Sequence, residues 1–313
     1  MQYVIASLLN GTVFGLLLFM VSAGLTLIFG MMGVLNFAHA SFYMLGAYLG
    51  YSIGRITGFW PALLLAPLLV ALLGAGLERW MLRRTHRHGH ALELLLTFGV
   101  AFVINELVKL VYGPFAVDYR MPPALDVTAF RFYGLDYSAY RLFIGGVAIV
   151  MFVAILLLLR LTRVGLIVRA ALSQPQMVEA LGHDVPKVLM GVFAAGAGLA
   201  GLAGAVAGAF YPTGPTMANY LGSIVFVVVV VGGLGSLEGA LVASLLIGLL
   251  TTFTVGLDWT LADLFGAFGL GPWASGLGGL FTLTLSSLSG SLPFLIMLLV
   301  LLIRPSGLFG ERA

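Results

Sequence analysis

One short stretch of the chain fits a pattern that serine hydrolases use. Gly50, Ser52 and Gly54 match G-x-S-x-G, in which the serine attacks an acyl group. A working nucleophile of this type stands on a strand-to-helix turn, with a histidine and a carboxylate nearby. Here the serine ends an apolar stretch, and a chain with 42 glycines matches the pattern easily by chance. We interpret Ser52 as structural. A membrane enzyme remains an alternative that only this stretch supports.

Three histidines and an arginine occupy residues 86–90 and raise the question of a metal site. The arginine would repel a cation, and no carboxylate lies nearer than Glu93. The chain has no cysteine, so a thiolate site is impossible. We interpret the stretch as a basic loop that faces anionic lipid headgroups.

The chain also lacks the means to hydrolyse ATP by the usual route. That route needs G-x-x-x-x-G-K-S/T, whose backbone and lysine hold the phosphates. The two lysines, Lys109 and Lys187, do not follow a glycine, and no H-E-x-x-H zinc motif is present. The net charge of +3 is too small to indicate a nucleic-acid partner. We expect no catalytic residue, metal ion or cofactor on this chain.

The composition indicates an integral membrane protein. Hydrophobic residues make up 61% and charged residues 9% of the chain, and the mean hydropathy is +1.11. A soluble domain carries roughly 25% charged residues, and a spanning helix needs about 20 apolar ones. We predict an all-α polytopic bundle, a single transmembrane domain over residues 1–313, with about eight or nine helices. The apolar stretches are 3–30, 38–53, 60–82, 92–112, 142–159, 188–211, 221–256 (interrupted) and 292–303.

The placement of Lys and Arg predicts the orientation of the bundle. Cytoplasmic loops carry the excess of these residues. Residues 86–90 and 164–187 lie in Arg-rich connections, whereas 113–141 is charge-balanced and 188–303 contains no Lys or Arg. We therefore predict that the first two segments face the cytoplasm, and that 113–141 and 256–292 lie outside with the N-terminus.

Two charged residues stand inside an apolar stretch. Glu106 and Lys109 are three residues apart, which places them on one face of a helix, where they can pair with each other. Ionisable groups within a membrane helix are also functional candidates. We interpret them as a structural pair and keep contact with a transported solute as the alternative.

Two glycine-rich breaks interrupt apolar stretches, at residues 30–33 and 232–235. Interrupted helices in a membrane protein indicate a transport pathway, because freed backbone groups are tolerated only inside protein or beside water. Tight packing with satisfied polar groups is the alternative for any single residue. The polar and glycine residues that could line the pathway are Asn36, His39, Ser41, Gly233, Gly235, Ser236 and Glu238.

The segment 164–187 mixes charged and apolar residues. Pro175 should break it into two short helical pieces, and Gly182 should end the second. A helix with such a mixed surface can lie at the membrane face and dock into the groove of a partner. An ordinary interfacial loop helix is the alternative.

Several runs of the chain resemble one known family. They are 24–39 (GLTLIFGMMGVLNFAH), 42–48, 169–182, 231–240 (VGGLGSLEGA) and 304–310 (RPSGLFG). They closely resemble the permeases of the high-affinity branched-chain amino acid ABC importers, the LivH type. The likeness spans nearly the whole chain. Residues 256–292 look longer than is typical of the family, so the solute could differ.

The resemblance implies a multi-pass permease of the bacterial inner membrane, surrounded by lipid. It implies a second, related permease subunit, two cytoplasmic ATPase subunits that hold ATP and Mg, and a periplasmic substrate-binding protein. The solute would be a branched-chain amino acid or a related small molecule. An ion-coupled secondary transporter is the alternative, but that class usually needs an acidic or histidine relay in mid-helix. The resemblance makes 164–187 the segment that couples to the ATPase, through Arg169, Gln174, Glu179, Leu181 and Gly182.

Overall fold

The computed structural model describes residues 2–85, 89–132, 134–257, 259–266 and 269–310. A π-helical turn spans Glu78–Leu82, and a 3₁₀ turn spans Gly279–Thr282. In chain order the elements are α1 Gln2–Met32, α2 His39–Thr57, α3 Phe59–Leu77, α4 Arg83–Thr85, α5 His90–Tyr112, β1 Thr128–Phe132, β2 Leu135–Ser138, α6 Ala139–Leu161, α7 Arg163–Ser173, α8 Pro175–Ala180, α9 Val185–Ala207, α10 Met217–Gly232, α11 Leu237–Val255, α12 Leu261–Gly266, α13 Gly271–Gly276, α14 Leu285–Leu288 and α15 Leu292–Ile303.

Six helices in the described part of the chain are long and apolar enough to cross a membrane. Two shorter apolar helices, α10 and α15, accompany them. Each predicted apolar stretch corresponds to a helix within a few residues, and the interrupted one forms α10 and α11. The chain is therefore a mostly helical, multi-pass membrane protein. The six long helices are Gln2–Met32, Phe59–Thr85, His90–Tyr112, Ala139–Leu161, Val185–Ala207 and Leu237–Val255.

The loop between α5 and α6 contains a small β-hairpin. Strands β1 and β2 pair antiparallel, Phe130 stacks on Tyr137, and Arg131 bonds Asp136 at 2.5 Å. Alternating apolar and polar residues favour this pairing, and Gly134 adopts φ +79° in the turn. The all-α architecture therefore describes the apolar spans, and the hairpin is an addition to it.

Glycines bring the central helices into backbone contact. A Cβ built on Gly15 of α1 would lie 2.8 Å from the Cα of Leu245 in α11. A Cβ on Gly204 of α9 would lie 2.8 Å from the backbone nitrogen of Ala47 in α2. Lipid supplies no hydrophobic drive between helices, so close packing of small residues holds such bundles together. The high glycine content therefore has a packing role along α1, α2, α9 and α11.

Helix α2 begins inside the bundle rather than at its end. The imidazole of His39, its first residue, lies 2.9 Å from the carbonyl oxygen of Val21 in α1. Val21 is about 16 Å along the helix axis from the last residue of α1. The start of α10 is also internal, since Met217 lines a cavity with Phe14 and Leu17 of α1. Two helices thus start partway along α1.

Candidate functional site

Asn36 organises the return of the chain from α1 into α2. Its Oδ1 accepts from the backbone N–H of Ala38 at 3.0 Å, and its carbonyl oxygen accepts from His39 N–H at 3.2 Å. The side chain is buried, and its Nδ2 has no hydrogen-bond partner among the described residues. Asn36 therefore shapes the start of α2 and also presents an unused donor.

His39 is held in one tautomer by α1. A carbonyl oxygen only accepts, so the Nε2 that contacts the Val21 oxygen carries the proton. Nδ1 is then an acceptor, and it is buried with no partner in the described structure. His39 therefore presents an unused acceptor three residues after the unused donor of Asn36.

Asn36, His39 and Ser41 line one cavity of about 380 Å³. The Ser41 hydroxyl donates to the carbonyl oxygen of Ala101 in α5 at 3.5 Å, the long limit for such a bond. We name this the α2–α10 cavity. Other residues that line it are Leu25, Leu35, Phe37, Ala40, Phe98, Ala101, Ala218, Asn219, Gly222, Ser223, Val225, Phe226 and Phe294.

Two helix N-termini border the α2–α10 cavity. Helical bonding in α2 begins when Phe42 N–H donates to Ala38, and in α10 when Tyr220 N–H donates to Thr216. Neither helix has a side-chain cap. The first N–H groups of a helix lack intrahelical acceptors and carry partial positive charge. The two N-termini therefore place partial positive charge at the border of the cavity, and no Lys, Arg, Asp or Glu lines it.

The other predicted pathway residues lie away from the cavity, at the C-terminal end of α1. Ser236 is the N-cap of α11, where its Oγ accepts from Gly239 N–H at 3.0 Å. Glu238 forms an ion pair with Arg160 at the end of α6, and both side chains are about half exposed. The structure thus divides the seven predicted residues into two groups, with Asn36, His39 and Ser41 at the cavity.

The second group belongs to a place where the two glycine breaks meet. A Cβ on Gly30 would lie 2.9 Å from the Cα of Gly235, and one on Gly233 would lie 2.9 Å from the Cα of Gly310. Gly233 and Gly235 have φ of +103° and +86°, values that favour glycine. We name this region, residues 30–33, 232–236 and 304–310, the glycine junction. Two backbone hydrogen bonds join the C-terminal segment to the rest of the glycine junction. Leu308 N–H donates to the carbonyl oxygen of Val231 at 2.8 Å, and Phe309 N–H donates to that of Gly232 at 3.0 Å.

The predicted coupling segment packs against the glycine junction. Val168 of α7 forms one buried cluster with Met31 of α1 and Val192 of α9. The break at Pro175 and the end near Gly182, whose φ is +88°, are present as predicted. Helix α7 therefore contacts a residue of the predicted first glycine break.

Helix α8 has one buried and one exposed face. Val178 packs with Ala171 and Val185, which fixes α8 against α7 and α9. Met177 and Leu181 are 60% and 77% exposed. Of the other predicted coupling residues, Gln174 and Glu179 are exposed, and the Arg169 side chain donates to Gly165 at 3.4 Å. Apolar groups of the segment thus lie both on its buried side and on its exposed side.

Hydrogen bonds between charged groups hold the start of α9 in place beside the coupling segment. The hydrogen bond from the Lys187 side chain lowers the pKa of the Asp184 carboxyl, whose oxygen also caps α9 by accepting from Lys187 N–H at 3.1 Å. Arg83 bonds Glu78 at 2.9 Å and the carbonyl oxygen of Pro186 at 2.8 Å. The arginine therefore ties the π-helical turn to α9.

Sequence reasoning missed some of these groups. Asn219 and Ser223 are exposed on α10, one turn apart, yet the predicted stretch began at Leu221. Two polar residues four positions apart at the edge of an apolar stretch are the sequence signal that could have identified Asn219 and Ser223. The pairing of Arg160 with Glu238, 78 residues away, left no local signal.

Contacts within the fold account for the remaining residues that the sequence analysis considered as candidates. Ser52 lies within α2, not on a strand-to-helix turn, and its Oγ is 2.6 Å from the hydroxyl of Tyr112. Lys109 pairs with Glu106 at 2.7 Å, and His90 with Glu93 at 3.2 Å. Residues 86–88 of the histidine stretch lie outside the described residues. Where the structure is described, no three His, Asp or Glu side chains group as metal ligands.

These features define a mostly helical, multi-pass membrane protein in which the predicted coupling segment packs against the glycine junction. Residues 7–301 match the family described as "Branched-chain amino acid transport system / permease component", and the chain belongs to this family. The LivH permease of Escherichia coli K12, named for a high-affinity branched-chain amino acid transport system, is 28% identical over 79% of this chain and 84% of its own.

Two further relatives extend over almost the full length. BraD of Pseudomonas aeruginosa, with a name of the same kind, is 24% identical over 97% of this chain and 95% of its own. A probable LivH of Methanocaldococcus jannaschii is 27% identical over 94% and 89%. No solved structure matches the chain.

Proposed function

We propose that this chain is the translocating permease subunit of a bacterial ABC importer and passes branched-chain amino acids, or a related small solute, across the inner membrane. The observation that carries the proposal is the packing of the predicted coupling segment, through Val168, against Met31 of the glycine junction. A partner that moves α7 and α8 would thereby act on both interrupted helices.

Two cytoplasmic ATPase subunits, which would hold ATP and Mg, are the proposed partners of α8. Met177 within α8 and Leu181 directly after it are exposed and offer apolar anchors, and Glu179 between them offers a charge. Helices that dock into a groove use such spaced apolar residues. The coupling contact would include Arg169, Gln174, Glu179, Leu181 and Gly182.

A second, related permease is the proposed partner of α10. Asn219 and Ser223 are exposed on a helix that begins partway along α1. Polar groups at membrane depth face protein or water rather than lipid. Their exposure supports a permease pair with the solute pathway along this face.

We propose eight or nine crossings, about 20 residues each where complete, with the N-terminus outside and residues 164–187 inside. Helices α2, α10 and α15 would be the short or partial crossings. A periplasmic binding protein would deliver the solute to the outer side, where 113–141 and 256–292 lie. Trp259 and Trp273 are exposed in the latter segment, as aromatic residues at a membrane surface commonly are.

Uptake by the reconstituted complex tests this function. The chain would be purified with its partner permease, ATPases and binding protein and placed in liposomes. We expect leucine uptake that requires internal ATP, stops with vanadate and survives dissipation of ion gradients. Uptake that continues without ATP and collapses with an ionophore would instead establish an ion-coupled transporter.

A further inference from the structure

A groove runs along the side of α5 that faces away from the α2–α10 cavity. Leu95, Gly99 and Val103 of α5 line it, together with Met81 of the π-helical turn, and its volume is about 630 Å³. The cavity instead meets α5 at Ala101, which lies about 200° around the helix from Gly99. We name this second feature the α5 groove.

The α5 groove is open and almost wholly apolar. Leu95 and Val103 are 66% and 56% exposed, and Thr85 is the one polar residue among the described residues that line the groove. From Leu92 to Ile104 it extends about 18 Å along α5. One leaflet of a bilayer has about 15 Å of hydrocarbon, half of the whole core. The groove therefore matches the length of an acyl chain that reaches from the membrane surface to the midplane.

The end of the α5 groove at Thr85 is basic. Arg84, which precedes Thr85, is exposed, and so is Arg79. Residues five apart approach each other in a π-helical turn, as the hydrogen bond from Arg83 to Glu78 at 2.9 Å shows. Arg79 and Arg84 have the same spacing, so they form a basic pair on one face of this turn.

The carboxylates near this end of the groove are buried. The sequence has two between residues 78 and 93, Glu78 and Glu93, whose side chains are 4% and 2% exposed. Glu78 pairs with Arg83 at 2.9 Å, and Glu93 lies 3.2 Å from the imidazole of His90. An anion at the basic pair therefore meets no exposed carboxylate from this stretch. Arginine binds phosphate through parallel N–H bonds, and basic pockets on the cytoplasmic side of membrane proteins bind anionic headgroups.

We propose that the α5 groove binds an anionic phospholipid of the cytoplasmic leaflet. The phosphate lies at Arg79 and Arg84, and one acyl chain lies along Leu95, Gly99 and Val103. Gly99 leaves room for the chain, because nothing lies within 4 Å of the position that a Cβ would take there. This inference goes beyond the proposed function and takes from it only the side of the membrane that the start of α5 faces.

Photolabelling with lipid tests the site. The complex of both permeases with the ATPases would be placed in phosphatidylcholine nanodiscs with a trace of phosphatidylglycerol that carries a diazirine in the middle of one acyl chain. We expect adducts on Leu95 or Val103, mapped by mass spectrometry. The same diazirine on phosphatidylcholine should label these residues about ten-fold less or weaker still, because each arginine near an anionic headgroup contributes about five-fold in affinity.

Matched variants connect the label to the groove and to the basic pair. Gly99→Leu fills the groove and should reduce phosphatidylglycerol adducts to the level of the phosphatidylcholine probe. Gly146→Leu is its control, since Gly146 of α6 is also exposed with nothing within 4 Å of a Cβ. Arg84→Gln should lower the preference for phosphatidylglycerol about five-fold, whereas Arg55→Gln, an exposed arginine at the other end of the bundle, should leave it unchanged. If Arg84→Gln fails to insert, Arg79→Gln decides.

The outcomes separate this inference from the proposed function. Equal labelling by the two probes, or equal labelling of Gly99→Leu and Gly146→Leu, would show ordinary annular lipid and overturn the site. Cross-links from Gly99→Cys to the partner permease in place of lipid adducts would assign the groove to protein and overturn it as well. ATP-driven leucine uptake would leave the importer standing in each case. Absence of uptake by a wild-type complex that still prefers phosphatidylglycerol would overturn the proposed function and leave the lipid site.

Discussion

Single glycines determine how closely the helices of this protein approach each other. Gly204 touches the backbone of α2, where a Cβ would lie 2.8 Å from Ala47 N and 2.9 Å from the carbonyl carbon of Tyr43. Gly99 of α5, by contrast, has nothing within 4 Å of the same position. The sequence predicts that glycine is a packing residue here, but it does not distinguish these two, because the distinction depends on which helices cross.

Substituting these two glycines should therefore have opposite effects. Gly204→Ala should destabilise the protein by about 1–3 kcal/mol, the usual cost of overpacking a tight contact. Gly99→Ala should be neutral or stabilise the protein by up to about 1 kcal/mol, because alanine favours a helix interior. Thermal unfolding of the two purified variants measures the difference. Equal melting temperatures would contradict the close contact of α2 and α9.

At the level of secondary-structure elements, the breaks between helices are the feature from which the sequence predicts a transport pathway. The break at 232–235, the two pieces around Pro175 and the helix end near Gly182 could be predicted, because glycine and proline act locally on the backbone. The sequence places the first break at 30–33, whereas α1 is helical to Met32 and the non-helical stretch is 33–38. The contact between Gly30 and Gly235 could not be predicted, since it joins residues far apart in the chain. For the same reason Asn36 and Ser236 looked alike in sequence but lie in different places.

Ser236 should accordingly behave as a helix cap and not as a pathway residue. Ser236→Ala should cost about 1 kcal/mol of stability, because α11 loses the acceptor for Gly239 N–H. Ser236→Thr retains a capping oxygen and should restore most of it. Thermal unfolding and the leucine KM of the reconstituted complex are the two measurements. A several-fold rise in KM with unchanged stability would instead return Ser236 to the solute pathway.

The orientation of the whole molecule follows from its charges. Arginines collect around α3, α4, α6 and α7, whereas residues 188–303 contain no Lys or Arg. This asymmetry predicts that the coupling segment faces the cytoplasm. One long helix, α5 on one side and α6 on the other, separates the hairpin at 128–138 from each Arg-rich connection, so we predict that the hairpin lies outside.

Single cysteines test this orientation without background, because the chain has no cysteine. Gln174 and Ala124 are both exposed, one in the coupling segment and one in the outer loop. In intact cells a membrane-impermeant maleimide should label Ala124→Cys and leave Gln174→Cys unlabelled until the cells are opened. The reverse pattern would invert the topology.

The central claim is that α7 and α8 transmit the conformational change of the ATPase subunits to the glycine junction. Substrate-stimulated ATP hydrolysis by the reconstituted complex tests this claim. Ala180→Pro should abolish the stimulation although the chain still inserts, because a proline within a short helix costs about 3 kcal/mol or more and α8 spans only Pro175–Ala180. Ala180→Ser, which leaves the helix intact, should retain it. Wild-type stimulation in a correctly inserted Ala180→Pro complex would contradict the account.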